Sequence, residues 1–185
     1  MNTDKQAALA AVDAKAALVT EVADCVWDYA ELSLQEVRSA EKYCGVLEAE
    51  GFAVERGICG IPTAFSASYG SGRPVIGLLA EYDALSGLSQ EGGALERKER
   101  VPGGCGHGCG HNLLGAGAFA AALGVKDWLA RTGAPGTVVL YGCPGEEGGA
   151  AKAFMAREEL WRGLDAALTW HPDDENEVVT GSSNS

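Results

Sequence analysis

Three short stretches of this chain carry residue types that could act on a bond. Between Gly103 and Leu114 it reads GGCGHGCGHNLL, which sets Cys105, His107, Cys109 and His111 at every second position with glycine between them. Thiolate and imidazole suit zinc, and manganese or cobalt less selectively. Glu146 and Glu147 stand side by side in GCPGEEGG, hemmed by glycines. One such glutamate can hold a metal while its neighbour takes the proton of a water that attacks a carbonyl. His171 precedes Pro172 and is the only histidine outside the glycine-rich loop.

The elements that must position these residues are legible from periodicity. Val75 to Ala80, VIGLLA, is a near-continuous apolar run, as in a strand buried on both faces. It empties into Glu81, Tyr82 and Asp83. In open α/β sheets chemistry gathers at the carboxyl ends of strands, so Asp83 is a candidate, with Glu81 behind it. Thr137 to Tyr141 is a second buried strand and leads to Glu146-Glu147. Leu164 to Trp170 is a third and leads to His171. Asn112 to Arg131, rich in Ala, Leu and Gly, suits a helix packed closely on a sheet and closed by Gly133.

Upstream, Leu9, Val12, Ala16, Val19, Ala23, Val26 and Ala30 repeat at three and four, which predicts one helix from Asp4 to Glu31. Ser33 and Glu36 form a capping-box pattern for a helix from Leu34 to Glu50, ended by Gly51. Trp27 and Tyr29 read as packing residues. Two strands follow, around Phe52 to Arg56 and Thr63 to Tyr69. Ser86 to Gly104 is a long loop whose charge run, Glu96 to Arg100, reads as solvated. Asp173 to Ser185 is a polar tail. The order of elements is that of an α/β fold, with strands and helices alternating to build a parallel sheet covered by helices on its faces.

The chain has 185 residues, 46% hydrophobic and 22% charged, enough for one domain with a real core. Its formal net charge of −12 speaks against nucleic acid and anionic membranes as partners. Asp13, Lys15 and Glu21 interrupt the early apolar runs, so no secretory leader is expected, and no stretch reads as a membrane span. Six cysteines without such a leader read as free thiols in a reducing cytoplasm.

The glycine-rich loop admits a rival reading. Cys105, His107, Cys109 and His111 could form a structural zinc site in a redox-active domain. Such a segment spans ~20 Å when extended and would have to curl sharply. Cys105 and His107 fit better as lining. Cys109 and His111, two apart, would point the same way in an extended segment.

LLAEYDALSGLSQ (Leu78 to Gln90), HGCGHNLLG (His107 to Gly115), GCPGEEGGAAK (Gly142 to Lys152) and TWHP (Thr169 to Pro172) resemble, in order and spacing, the co-catalytic metal amidohydrolases of the aminoacylase/carboxypeptidase G superfamily. The resemblance implies a three-layer sandwich with a mostly parallel mixed sheet. It implies two divalent ions, zinc or manganese, held by Cys109, His111, Glu147 and His171. Glu146 would be the general base and Asp83 would orient a ligand. The implied reaction is hydrolysis of the amide bond of an N-acyl or N-aroyl amino acid or a dipeptide, in a homo- or hetero-oligomeric parent enzyme. Members of that superfamily are much longer, with an inserted dimerisation domain and a returning segment that adds a histidine ligand. Residues 1–185 therefore read as the N-terminal portion of a catalytic domain. The same motifs also fit a non-catalytic protein that binds metal or regulates a partner enzyme.

Overall fold

The computed structural model describes residues 3–175. The polar tail beyond them lies outside the described residues. Five helices run in chain order as α1 (Thr3–Asp13), α2 (Ala16–Tyr29), α3 (Val37–Ala49), α4 (His111–Thr132) and α5 (Ala151–Arg157). Five strands are β1 (Ala53–Arg56), β2 (Phe65–Ser71), β3 (Val75–Ala80), β4 (Gly136–Gly142) and β5 (Ala166–Leu168). They form one sheet in the order β1-β2-β4-β3-β5. β3 pairs in parallel with β4 and β5, and β2 pairs antiparallel with β1 and β4. The sheet is mixed, as expected. Its parallel part is the β4-β3-β5 side that leads to the candidate residues.

The period of two along β3 and β4 divides the core. Leu78, Ala80, Val138 and Leu140 face one way, against Val22 and Val26 of α2, Tyr43 and Leu47 of α3, and Phe119 and Ala122 of α4. Val139, Tyr141 and Cys143 face the other way, where Met155 of α5, Leu160, Trp161 and Leu164 cover them. Helices therefore lie on both faces, and the domain has three layers.

The N-terminal helix differs from expectation. It breaks at Ala14–Lys15 into α1 and α2, and Lys15 turns to pair with Glu50 at 2.6 Å. The break lets α1 lie on α4, where Val12 meets Gly124. The capping box also fails to form. α3 starts at Val37, and Glu31, not Ser33, accepts hydrogen bonds from the Arg38 and Ser39 amides at 3.0 and 2.9 Å. Ser33 and Glu36 are engaged elsewhere. β5 spans three residues, shorter than the strand expected over Leu164 to Trp170, and α5 gives way to a 3-10 turn at Leu160–Gly163.

At 22 residues, α4 is long and apolar enough to cross a membrane, contrary to the sequence reading. Here it is a core helix: Leu114, Ala118, Phe119, Ala122 and Leu123 are buried. Small residues let it approach the sheet. A Cβ on Gly115 would meet the Tyr43 hydroxyl and the Glu81 carbonyl, and one on Gly117 would meet the Trp170 ring. Gly115→Val is expected to destabilise the fold by about 1–3 kcal/mol through overpacking, read as a lowered denaturation midpoint with an unchanged slope.

Candidate active site

Glu81, Tyr82 and Asp83 follow the carboxyl end of β3. The inward member is Tyr82, fully buried, stacked on Phe65 and donating its hydroxyl to the Thr63 carbonyl at 2.7 Å. Glu81 and Asp83, two apart, both reach His111. Asp83 Oδ1 lies 2.8 Å from His111 Nδ1, and Glu81 Oε2 lies 3.2 Å from Nε2. His111 is the first residue of α4, entered through Gly110 at φ +81°.

Asp83 is held from three sides. Its Oδ2 accepts from the Ser33 hydroxyl at 2.8 Å and from the Glu147 amide at 3.0 Å. Burial works to raise its pKa, and the hydrogen bonds from His111, Glu147 and Ser33 outweigh that and lower it. An ionised Asp83 accepts Nδ1–H of His111, so in the neutral imidazole the lone pair is on Nε2. For His111, burial works to lower the pKa, while Asp83 and the surrounding carboxylates prevail and raise it.

His111 Nε2 is buried and, among the described residues, has no hydrogen-bond partner. An unmet polar atom in the interior costs about 1–3 kcal/mol, so it needs an explanation. Around it stand Glu81 Oε2, Glu146 Oε2 at 3.9 Å and Glu147 Oε1 at 4.0 Å. On the other side Cys109 Sγ lies 3.2 Å from His171 Nε2, and the two histidine rings meet edge to face at 5.9 Å. The donors gather as Cys109, His111 and His171, and as Glu81, His111 and Glu146, each set with its atoms within 4.8 Å of one another. This mixture of thiol, imidazole and carboxylate suits a divalent ion.

The expected residues therefore converge. Asp83, Cys109, His111, Glu146, Glu147 and His171 meet at the carboxyl ends of β3, β4 and β5 and the start of α4. Cys109 and His111 converge although His111 is already helical, because Gly110 turns the chain between them. His171 is brought in by its neighbours. Trp170 donates to the Leu114 carbonyl at 2.9 Å, and Pro172 packs over Gly110. His107 faces away, bonded to the Val26 carbonyl at 2.9 Å and stacked on Trp27. Cys105 lines a separate cavity of about 250 Å³ with Trp27, Gln90 and Arg100. The four-ligand loop site is thus not assembled.

Glu81 and Glu36 were underweighted by sequence reasoning. Glu36 is fully buried, accepting from the amides of Leu34 at 2.9 Å and Gly145 at 2.8 Å and from Thr63 at 3.1 Å. It fixes the turn that presents Glu146 and Glu147. The one available signal was an acid two residues past Leu34, which also suits a helix start.

Burial first, then Glu147, Glu146 and Glu81, push the Cys109 thiol up to about 11. At neutral pH without a cation the thiol is protonated and weakly nucleophilic. In metal-free protein, alkylation of the Cys109 peptide, followed by mass spectrometry, is expected to accelerate roughly tenfold per pH unit between neutrality and pH 10. Added Zn²⁺ is expected to suppress it.

Comparison with known proteins agrees with this geometry. Residues 77–182 match the model of peptidase family M20/M25/M40. The chain is 54% identical over 163 residues to one of the subunits of p-aminobenzoyl-glutamate hydrolase from Escherichia coli, covering 88% of this chain and 34% of that protein. It is 30% identical to the human Xaa-Arg dipeptidase, over 89% of this chain and 38% of the dipeptidase. It thus spans between a third and two fifths of these relatives' length. A dinuclear metal-binding M20 peptidase from Bacillus subtilis superposes with a TM-score of 0.67 at 26% identity, covering 85% of this chain and 44% of its own. More than half of the sequence lies within the family match, its α/β fold is shared, and the chain belongs to the M20/M25/M40 peptidase family.

Proposed function

We propose that this chain carries the metal-holding, water-activating part of an amidohydrolase that cleaves the amide bond of an N-acyl or N-aroyl amino acid, such as p-aminobenzoyl-glutamate, or of a dipeptide. One observation carries the reading: the buried His111 Nε2, unpartnered among the described residues, facing carboxylates on one side and Cys109 and His171 on the other. The names of the bacterial relative and of the dipeptidases support the substrate class. The dinuclear B. subtilis neighbour supports two divalent ions, zinc or manganese.

In this reading Cys109, His111, Glu147 and His171 hold the ions. The Lewis acidity supplied by bound ions acidifies water and polarises a carbonyl oxygen. The remaining work belongs to side chains. Asp83 keeps His111 in the tautomer that offers Nε2. Cys109 loses its proton before it can ligate. Glu146, whose side chain is 41% exposed, stands where it can meet both substrate and water. It takes the proton of the attacking water and returns it to the departing amine, which lets the C–N bond break.

A net charge of −12 supports small molecules over nucleic acid or membranes as partners. Six free cysteines support a cytoplasmic setting, and recovery of the chain from an oxidising compartment would overturn it. An oligomeric complete enzyme belongs to the same proposal.

Hydrolysis of p-aminobenzoyl-glutamate with added Zn²⁺ or Mn²⁺, measured beside metal content, tests the reading. Glu146→Gln is expected to lower kcat by about 10²–10⁴-fold while metal content holds. Metal uptake by the wild type with no turnover would favour either a non-catalytic metal-binding protein or a site that needs the rest of a longer catalytic domain. Asp83→Asn is expected to weaken metal binding by about 10–100-fold, read by calorimetric titration.

A further inference from the structure

Glu81 is the one carboxylate facing His111 Nε2 that the roles above leave without work. Its side chain is 7% exposed, buried more deeply than that of Glu146 or Glu147. A buried carboxylate needs compensation, and Glu81 finds a cationic partner at one of its oxygens. Oε1 meets the ammonium of Lys152, which α5 extends back toward the strand end. Oε2 points the other way and stops 3.2 Å from His111 Nε2. Among the described residues that nitrogen is buried without a hydrogen-bond partner, and it stands within 4.8 Å of both Glu81 and Glu146 oxygens. A cation placed there would meet both the nitrogen and Oε2.

We infer that Glu81 Oε2 is a further metal ligand beside His111 Nε2, with the other oxygen of the carboxylate taken by Lys152. The inference rests on the metal-dependent reading above. The chemistry of this position favours a hard ion such as Mn²⁺, whereas the Cys109–His171 side favours zinc. Lys152 sets the carboxylate's direction by occupying Oε1. Its own side chain is 32% exposed, so it reaches solvent and leaves no buried hole when replaced.

Calorimetric titration of the metal-free full chain with Mn²⁺ tests this on wild type, Glu81→Asp and Lys152→Met, with thermal melts alongside. Glu81→Asp keeps the charge and withdraws the oxygen by one methylene. A ligand role gives it an Mn²⁺ affinity lower by more than about tenfold. Lys152→Met removes a nearby cation and is expected to bind Mn²⁺ at least as tightly as wild type. Mn²⁺ binding by Glu81→Asp that matches wild type would overturn the inference and show that only the charge matters. Equal losses in both variants would overturn it in favour of a structural ion pair. Failure of the wild type to bind Mn²⁺ or Zn²⁺ would overturn the metal-dependent reading, and this inference with it.

Discussion

The structure depends on how one imidazole is clasped. His111 opens α4 and is held between two carboxylates from a single strand end, Asp83 at Nδ1 and Glu81 facing Nε2. Glu81 and Asp83 turn to the site, and Tyr82 between them turns into the core, stacked on Phe65 and bonded to Thr63. The aromatic anchor therefore fixes both acids at once. The arrangement concentrates negative charge around a buried nitrogen, which burdens stability and prepares a place for a cation.

A second layer makes the clasp rigid. The segment from Glu31 to Glu36 does not serve as an ordinary helix start. Ser33 bonds Asp83, Leu34 packs against Gly145 and Gly149, and Glu36 accepts from Gly145. For Glu36, burial raises the pKa and outweighs the hydrogen bonds that lower it. The strained residue in this segment is Leu34, at φ +61°, where a side chain is disfavoured. Such strain persists where surrounding contacts over-determine the backbone, and here they do so beside the site.

The third requirement is close approach. α4 can bring His111 to the end of β3 because Gly115 admits the Glu81 carbonyl and Tyr43 against the helix. Gly117 gives room to Trp170, whose hydrogen bond to Leu114 carries His171 toward Cys109. The exposed ion pairs of the long loop, such as Arg100–Asp28 at 2.6 Å, contribute little by comparison.

The sequence by itself determined where the strands lie, though not the ends of β2 or β5. VIGLLA appears as β3 without a shift in boundary, and Asn112 to Arg131 differs from α4 by one residue at each end. Runs of apolar residues bounded by glycine are local signals, and they sufficed to put Asp83, His111, Glu146, Glu147 and His171 on one rim. The break between α1 and α2 was hidden, because the apolar repeat continues across it and only packing on α4 requires it. The capping box was misread for a similar reason: Ser33 and Glu36 can bond their own helix or distant partners, and only the folded chain offers Asp83 and Gly145. The tertiary structure alone decided that His107 turns to Val26 while His111 turns inward, since both share one spacing and one glycine setting. It alone raised Glu81 to equal standing with Asp83. The strand end faces a helix start, and which acid meets which nitrogen depends on distances that no local pattern encodes.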